Sequence, residues 1–305
     1  MRPPRFVPFL LLCAPAASLH AQPSRQDSLD AYVRGQMARR RIPGGSLAII
    51  QNGRIVVARA YGVVDVTTRA PVTPATLFQA GSISKPVSAL GALHLVEVGR
   101  LSLDGDVNAK LTSWRVPDNS FTTTEKVTLR RILSHSAGVT VHGFPGYDPA
   151  NPVPSLAQVL DGAAPANTAP IRVDAIPGAI GRYSGGGFTI MQQMMIDVTG
   201  KPFPRFMHET VLEPIGMTSS SFEQPPPPAR AALSASGYYA DRTPVRGRWH
   251  VYPEMAAAGL WTNATDLARF AIEIQETLAG RGHGVISPAM ALQYLTVQKG
   301  SYGLG

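Results

Sequence analysis

Between Val87 and Val98 only Ser88, His94 and Glu97 carry polar side chains, and Gly99 stops the run. A stretch so nearly apolar on every side reads as a helix buried inside a fold, because a surface helix would keep one polar face. Burying it requires other elements on all its sides. A chain of 305 residues, 44% hydrophobic and 16% charged, can supply them in one large domain or two smaller ones. Its 27 prolines and 29 glycines are dispersed, which argues for many ordered loops and against general disorder.

The residues leading into this run are Gln79-Ala80-Gly81-Ser82-Ile83-Ser84-Lys85-Pro86-Val87. A serine at the start of a buried helix has its hydroxyl near unpaired backbone N–H groups. Lys85 follows Ser82 by three residues, on the same face of an α turn and eclipsed in a 3₁₀ turn. Pro86 suits a first turn, where it has no intrahelical bond to donate. An amine held against a hydroxyl in a dry pocket can lose its proton and act as a base, which a solvated lysine at neutral pH cannot. Ser-x-x-Lys alone describes an N-cap serine and a solvated lysine equally well.

Residues 1–21 read as a secretory signal, with Arg2 and Arg5, an apolar run from Phe6 to Ala17, and Leu19-His20-Ala21 before Gln22. The run is too short to span a bilayer. Leu12, in front of Cys13, departs from the small residue that precedes a lipid-anchored cysteine. The expectation is a periplasmic or secreted domain over 22–305, with no stable membrane anchor once the signal is removed. Cys13, the single cysteine, would leave with the signal, so the remainder has neither disulfide nor thiolate site. Arg2 and Arg5 contribute two of the +8 formal charge, and Arg39-Arg40-Arg41 form a solvated helix end. No basic stripe is interleaved with aromatics, so nucleic acid is not an expected partner.

Patterning predicts a helix over Asp27 to Arg40, with Leu29, Tyr32, Val33 and Met37 on one side. Strands follow over Ser46 to Gln51 and Arg54 to Tyr61, joined by Asn52-Gly53, a strong hairpin signal. A short helix is expected over Val127 to Ser134 and another near Leu156 to Leu160. A Met-rich helix is expected over Phe188 to Val198, its Met191, Met194 and Met195 filling core, and one more over Arg205 to Leu212. Gln224-Pro225-Pro226-Pro227-Pro228 reads as a surface connection. Asp266 to Leu278 is the cleanest helix, with Leu267, Phe270, Ala271, Ile274 and Leu278 on one face. Ser287-Pro288 opens a last helix through Leu295.

Three further stretches accompany Phe78 to Pro86: Val127 to Gly138, with Ser134-His135-Ser136-Ala137-Gly138; Pro177 to Gly187, with Tyr183-Ser184-Gly185; and Ala257 to Phe270. In this order and spacing they resemble the serine β-lactamase-related family of class C β-lactamases, D,D-peptidases, D-aminopeptidases and esterases, over roughly residues 27 to 305. The resemblance implies an α+β, β-lactamase/transpeptidase-like fold: an antiparallel sheet flanked by helices, with a mostly helical region in mid-sequence and the site between. It also implies Ser82 as the acylated nucleophile, with Lys85 and Tyr183 as its catalytic partners. A phenol beside an ammonium is expected to have a lowered pKa and to shuttle the serine proton.

Two departures follow. Gly185 stands where the family's Tyr-x-Asn motif has asparagine, so an amide that would hold an acylamino group is missing. The family's third motif, Lys-Thr-Gly or His-x-Gly, lies downstream of a Tyr-Gly-Leu-Gly stretch, and the sequence stops there with one backbone oxyanion donor unaccounted for. The expectation is a C-terminally incomplete chain, lacking C-terminal strands and exposing an unpaired strand edge.

Tyr147 and Tyr252 are candidates, with Gly185, for lining the substrate cleft. His135 reads as a structural hydrogen-bonding residue, and His135 and His142 lack partners at metal-ligand spacing. No Gly-x-Ser-x-Gly elbow occurs, which argues against an α/β-hydrolase. The expected function is acyl-enzyme hydrolysis of an ester or amide, in a small-molecule or peptide substrate, with no cofactor; Gly185 favours esterase or peptidase over β-lactamase. The alternative is a non-catalytic cell-wall or peptide-binding protein on the same scaffold. Substrate identity and oligomeric state are not legible.

Overall fold

The computed structural model describes residues 25–305, so the expected signal at 1–21 lies outside the described residues. The chain divides into two compact units at Ile42 and Pro43. In the first, α1 (Arg25–Arg40) places Asp27 in its first turn and Arg39 and Arg40 in its last, each at the helix pole that favours its charge. Leu29, Val33 and Met37 are half-buried along one line, but Tyr32 is 64% exposed. Tyr32 falls off the i, i+4, i+8 line that the other three share.

The second unit opens with the antiparallel pair β1 (Gly44–Gln51) and β2 (Arg54–Gly62). Asn52 and Gly53 both take positive φ, 53° and 69°, as a two-residue primed turn requires. Between Ile49 and Ile50 the register shifts by a bulge. The antiparallel strands expected from the sequence are present, and among the described residues they form two separate pairs. The second pair is β3 (Phe78–Gln79) with β4 (Trp261–Thr262), and the Ala80 N–H extends it to the Leu260 carbonyl at 2.9 Å.

A 3₁₀ turn, Gly81–Ile83, leads into α2 (Ser84–Glu97). Val87, Leu90 and Leu93 are fully buried, each worth about 2 kcal/mol relative to exposure. A Cβ at Gly91 would lie 2.7 Å from Met207 Sδ and 3.1 Å from Phe206, so glycine permits that close approach. Around α2 come α3 (Leu129–Leu133), capped by Thr128; α4 (Leu156–Asp161), with a Ser155/Gln158 capping box; α5 (Gly185–Thr199); and α6 (Phe203–Met207), which runs on as a wider turn through Leu212. The short α7 (Pro228–Ala231) and α8 (Met255–Ala258) follow, and α8 packs on both α2 and α5.

Helix α5 starts at Gly185, three residues before the start expected from Phe188. Ser184 is the N-cap, its hydroxyl accepting the Gly187 N–H at 3.0 Å. Glycine propensity favours a loop here, but packing overrides it: a Cβ at Gly186 would sit 2.5 Å from the Thr140 carbonyl oxygen. Helix α9 (Ala264–Leu278), capped by Asn263, packs on β1, β2 and α10 (Pro288–Leu295). Of its expected apolar stripe Ile274 is buried, Leu267, Phe270 and Ala271 are half-buried and Leu278 is exposed. No helix among the described residues is long and apolar enough to cross a membrane.

Candidate active site

Ser82 lies in the 3₁₀ turn and Lys85 on the first turn of α2, so their proximity is a local consequence of helical geometry. Lys85 Nζ stands 3.0 Å from Ser82 Oγ and donates to the Ala257 carbonyl on α8 at 2.8 Å. Its side chain is buried at 4% exposure, and burial pulls its pKa down to about 8. Tyr183 arrives from a distant part of the chain, immediately before the cap of α5, and its hydroxyl donates to Ser82 Oγ at 2.8 Å. One hydroxyl therefore has an amine and a phenol within hydrogen-bond reach, from two segments of sequence.

The Tyr183 pKa differs from the expectation. Burial raises it, the bond to Ser82 pulls the other way, and Tyr302 adds to the rise. The Lys85 amine lies over the face of the ring, 4.8 Å from its centroid. Desolvation outweighs the bond to Ser82, and the phenol stays protonated at neutral pH.

Tyr183 is flanked by bonds to His135. The Arg182 N–H donates to the His135 carbonyl at 2.7 Å, and the Ser184 N–H to His135 Nδ1 at 3.1 Å. The His135 ring packs on Tyr183, Phe188 and Tyr302. Its Nδ1 accepts, so the neutral ring carries its proton on Nε2. At the other end of the turn, Ser84 Oγ donates to the Gly81 carbonyl and accepts the Leu260 N–H at 2.9 Å, tying the nucleophile's turn to the 257–262 segment.

Gly185 lies two residues beyond Tyr183. A Cβ there would meet Phe144 Cε2 at 3.0 Å, so the Phe144 ring crowds the space into which a side chain at 185 would project. His142, on the same loop, is exposed with its ring 4.8 Å from that of Tyr183.

The two other sequence candidates sit elsewhere. Tyr147 is 5% exposed, its hydroxyl donating to Glu254 Oε1 at 3.4 Å and accepting the Asn167 N–H at 3.3 Å. That burial leaves no open ring face, contrary to the expectation of a cleft wall. Tyr252 is half-buried over Gly146 beside His250, and its N–H donates to Gln224. No hydrogen bond or ring contact among the described residues joins it to Ser82, Lys85 or Tyr183.

Sequence reasoning missed Ala257 as the acceptor of the lysine amine, and missed Ser84, Ser88 and Gln192, which dock the 253–260 segment around α8 onto α2 and α5. The apolar Ala256-Ala257 pair carries no side-chain signal, because its contribution is a main-chain carbonyl. Among the described residues no group of three or more His, Cys, Asp or Glu side chains is arranged to hold a metal ion.

A Ser-x-x-Lys pair with its lysine buried, completed by a tyrosine and set beside a helical region and small antiparallel pairs, defines a β-lactamase/transpeptidase-like fold. Residues 29–301 match the Beta-lactamase family, and the chain belongs to it. Penicillin-binding protein 4 of Amycolatopsis lactamdurans is 27% identical over 254 residues, 82% of this chain and 64% of that one. Protein flp of Staphylococcus aureus (strain MRSA252) is 25% identical over 202 residues, 65% of this chain but 38% of that one. The chain thus spans about two fifths of the flp relatives. The octameric penicillin-binding protein homologue from Pyrococcus abyssi superposes with a TM-score of 0.73 at 25% identity, over 92% of this chain and 64% of that one.

Proposed function

We propose that this chain is an exported serine hydrolase that works through an acyl-enzyme on an ester or amide. The observation that carries the reading is Ser82 Oγ, 3.0 Å from Lys85 Nζ and 2.8 Å from the Tyr183 hydroxyl. Neutral Lys85 accepts the Ser82 proton as the oxygen attacks the substrate carbonyl carbon. The Ser82 N–H, at the start of its 3₁₀ turn, is available to the developing oxyanion. As the carbon–leaving-group bond breaks, Tyr183 gives its proton to the departing oxygen or nitrogen and regains one from the Lys85 ammonium. Water then attacks the Ser82 ester, releases the acid, and restores the serine hydroxyl.

Phe144 against Gly185 supports an apolar acyl group, because a ring crowds the position from which an amide would bind an acylamino group. This favours esters or simple amides over acylamino β-lactams. Export is supported by Arg2, Arg5 and the apolar run from Phe6 to Ala17.

The test is labelling of the full chain by a fluorophosphonate probe. A covalent adduct on Ser82, absent in Ser82→Ala, is the expected result. Labelling that persists in Ser82→Ala puts the nucleophile elsewhere, and ligand binding without labelling or turnover makes the chain a binding protein.

A further inference from the structure

The segment that supplies the Ala257 carbonyl is gripped by two glutamine side chains. Gln192, on α5 and 1% exposed, donates from Nε2 to the Pro253 carbonyl at 2.9 Å and accepts the Ala256 N–H on Oε1 at 2.9 Å. Gln224 donates from Nε2 to the Gly259 carbonyl at 2.7 Å and accepts the Tyr252 N–H on Oε1 at 3.3 Å. Each amide uses both its donor and its acceptor end on main chain. The anchored positions, 252, 253, 256 and 259, bracket Ala257 from both sides. From α2, Ser88 Oγ adds a bond to the Ala256 carbonyl at 3.2 Å.

Helix α8 is a single turn, Met255–Ala258, too short to hold its shape by its own ladder. Its Ala256 and Ala257 are fully buried and help keep water from the Lys85 amine. Tyr183 precedes α5 and Gln192 lies on it, so one helix presents the phenol and also braces the segment that holds the amine.

We propose that Gln192 and Gln224 are positioning residues that hold the Ala257 carbonyl against the Lys85 amine and so set the pH at which Lys85 takes the Ser82 proton. The inference rests on the reading of Lys85 as the base. Releasing the clamp admits water to the amine and returns it toward a solvated lysine. The titratable groups facing Lys85 are Tyr183, beside the start of α5, and His135, beyond α3. Burial raises the first and lowers the second to about 4, so neither loses or gains charge where Lys85 does.

The experiment measures the rate of fluorophosphonate acylation at Ser82 in the full chain over roughly pH 6 to 10. It compares wild type with Gln192→Met and Gln224→Met, and with Gln158→Ala, which removes the exposed capping box of α4 as a control for stability alone. Wild type is expected to have its midpoint near 8. Each Met variant is expected to move the midpoint up by about one pH unit and lower the plateau about tenfold. Gln158→Ala should leave the midpoint where it is. Should Gln192→Met not fold, the half-buried Gln224→Met carries the test. Met variants sharing the wild-type midpoint, at any plateau rate, overturn the inference. A wild type that labels nowhere on Ser82 overturns the hydrolase reading and this inference with it.

Discussion

His135 holds Tyr183 from both sides: its carbonyl takes the Arg182 N–H, its Nδ1 takes the Ser184 N–H, and the two rings lie 4.3 Å apart. The arrangement requires an uncharged imidazole, because a protonated Nδ1 cannot accept. Burial first, then the charges of Lys85 and His142, push the His135 pKa down to about 4. Between that value and the ordinary 6.5 the unfolded chain binds a proton that the folded chain refuses, so stability falls as pH drops through this window. Removing the titration should therefore flatten acid sensitivity. His135→Asn tolerates the positive φ of 53° at this position. Urea unfolding of wild type at pH 4 should show a loss of about 3 kcal/mol from this group relative to pH 7, absent in the variant. Acylation of Ser82 should slow in the variant, because the stacking on Tyr183 is gone.

Lys85 gives the same sign in a higher window. Its folded pKa of about 8 lies below the 10.5 of the unfolded chain. Between these values the unfolded chain holds the extra proton, so stability rises with pH, by about 3 kcal/mol over the window. Lys85→Met should abolish both this rise and the acylation of Ser82. Guanidinium unfolding at pH 8 and pH 10.5 measures the difference between variant and wild type, which cancels titrations elsewhere. Equal slopes would count against a buried amine.

Glu254 is 0% exposed, with Oε1 accepting from Tyr147 and Oε2 without a protein partner. Burial, chiefly, pushes its pKa up to about 7 from 4.5. Here the folded chain binds the proton that the unfolded chain has lost, so stability falls as pH rises from 4.5 to 7, by about 3 kcal/mol. Glu254→Gln should remove that loss and unfold at higher temperature than wild type at pH 8. Calorimetry at pH 4.5 and pH 8 reads the effect.

On the proposed reading, Phe144 and Gly185 would set the preference for the acyl group. Gly185→Asn places its Cβ 3.0 Å from the Phe144 ring, which must give by a few tenths of an ångström. The added amide should shift preference toward acylamino substrates. The expected change is about tenfold in the ratio of kcat/KM for an N-acetylglycyl ester over a butyrate ester of the same alcohol. Phe144→Ala combined with Gly185→Asn should widen it, since the ring no longer resists the side chain.

The buried helix α2, the Asn52-Gly53 turn and the pairing of Ser82 with Lys85 were all legible in the sequence, because each depends on residues within one or two turns of each other. The cap at Ser287, marked by Pro288 after it, is legible likewise, whereas Thr128, Ser155 and Asn263 emerge as caps in the structure. Tyr183 was reached only through a resemblance, since nothing local distinguishes it from an aromatic at the rim. The start of α5 at Gly185, three residues before Phe188, is not legible because glycine propensity is a local quantity, whereas the Thr140 carbonyl crowding Gly186 comes from far along the chain. Side-chain type does not reveal burial, and Tyr147, a candidate for the cleft wall, is buried.

Residue order alone determined which groups could do chemistry here: a hydroxyl and an amine one turn apart at the head of an apolar helix. Tertiary packing decided whether they could, by sealing Lys85 under Ala256 and Ala257, by bringing Tyr183 across a hundred residues of chain, and by bracing that assembly with His135, Gln192 and Gln224. The division has a physical cause. Hydrogen-bond reach along a helix is fixed by its pitch, but the polarity around an amine depends on every segment that excludes water from it.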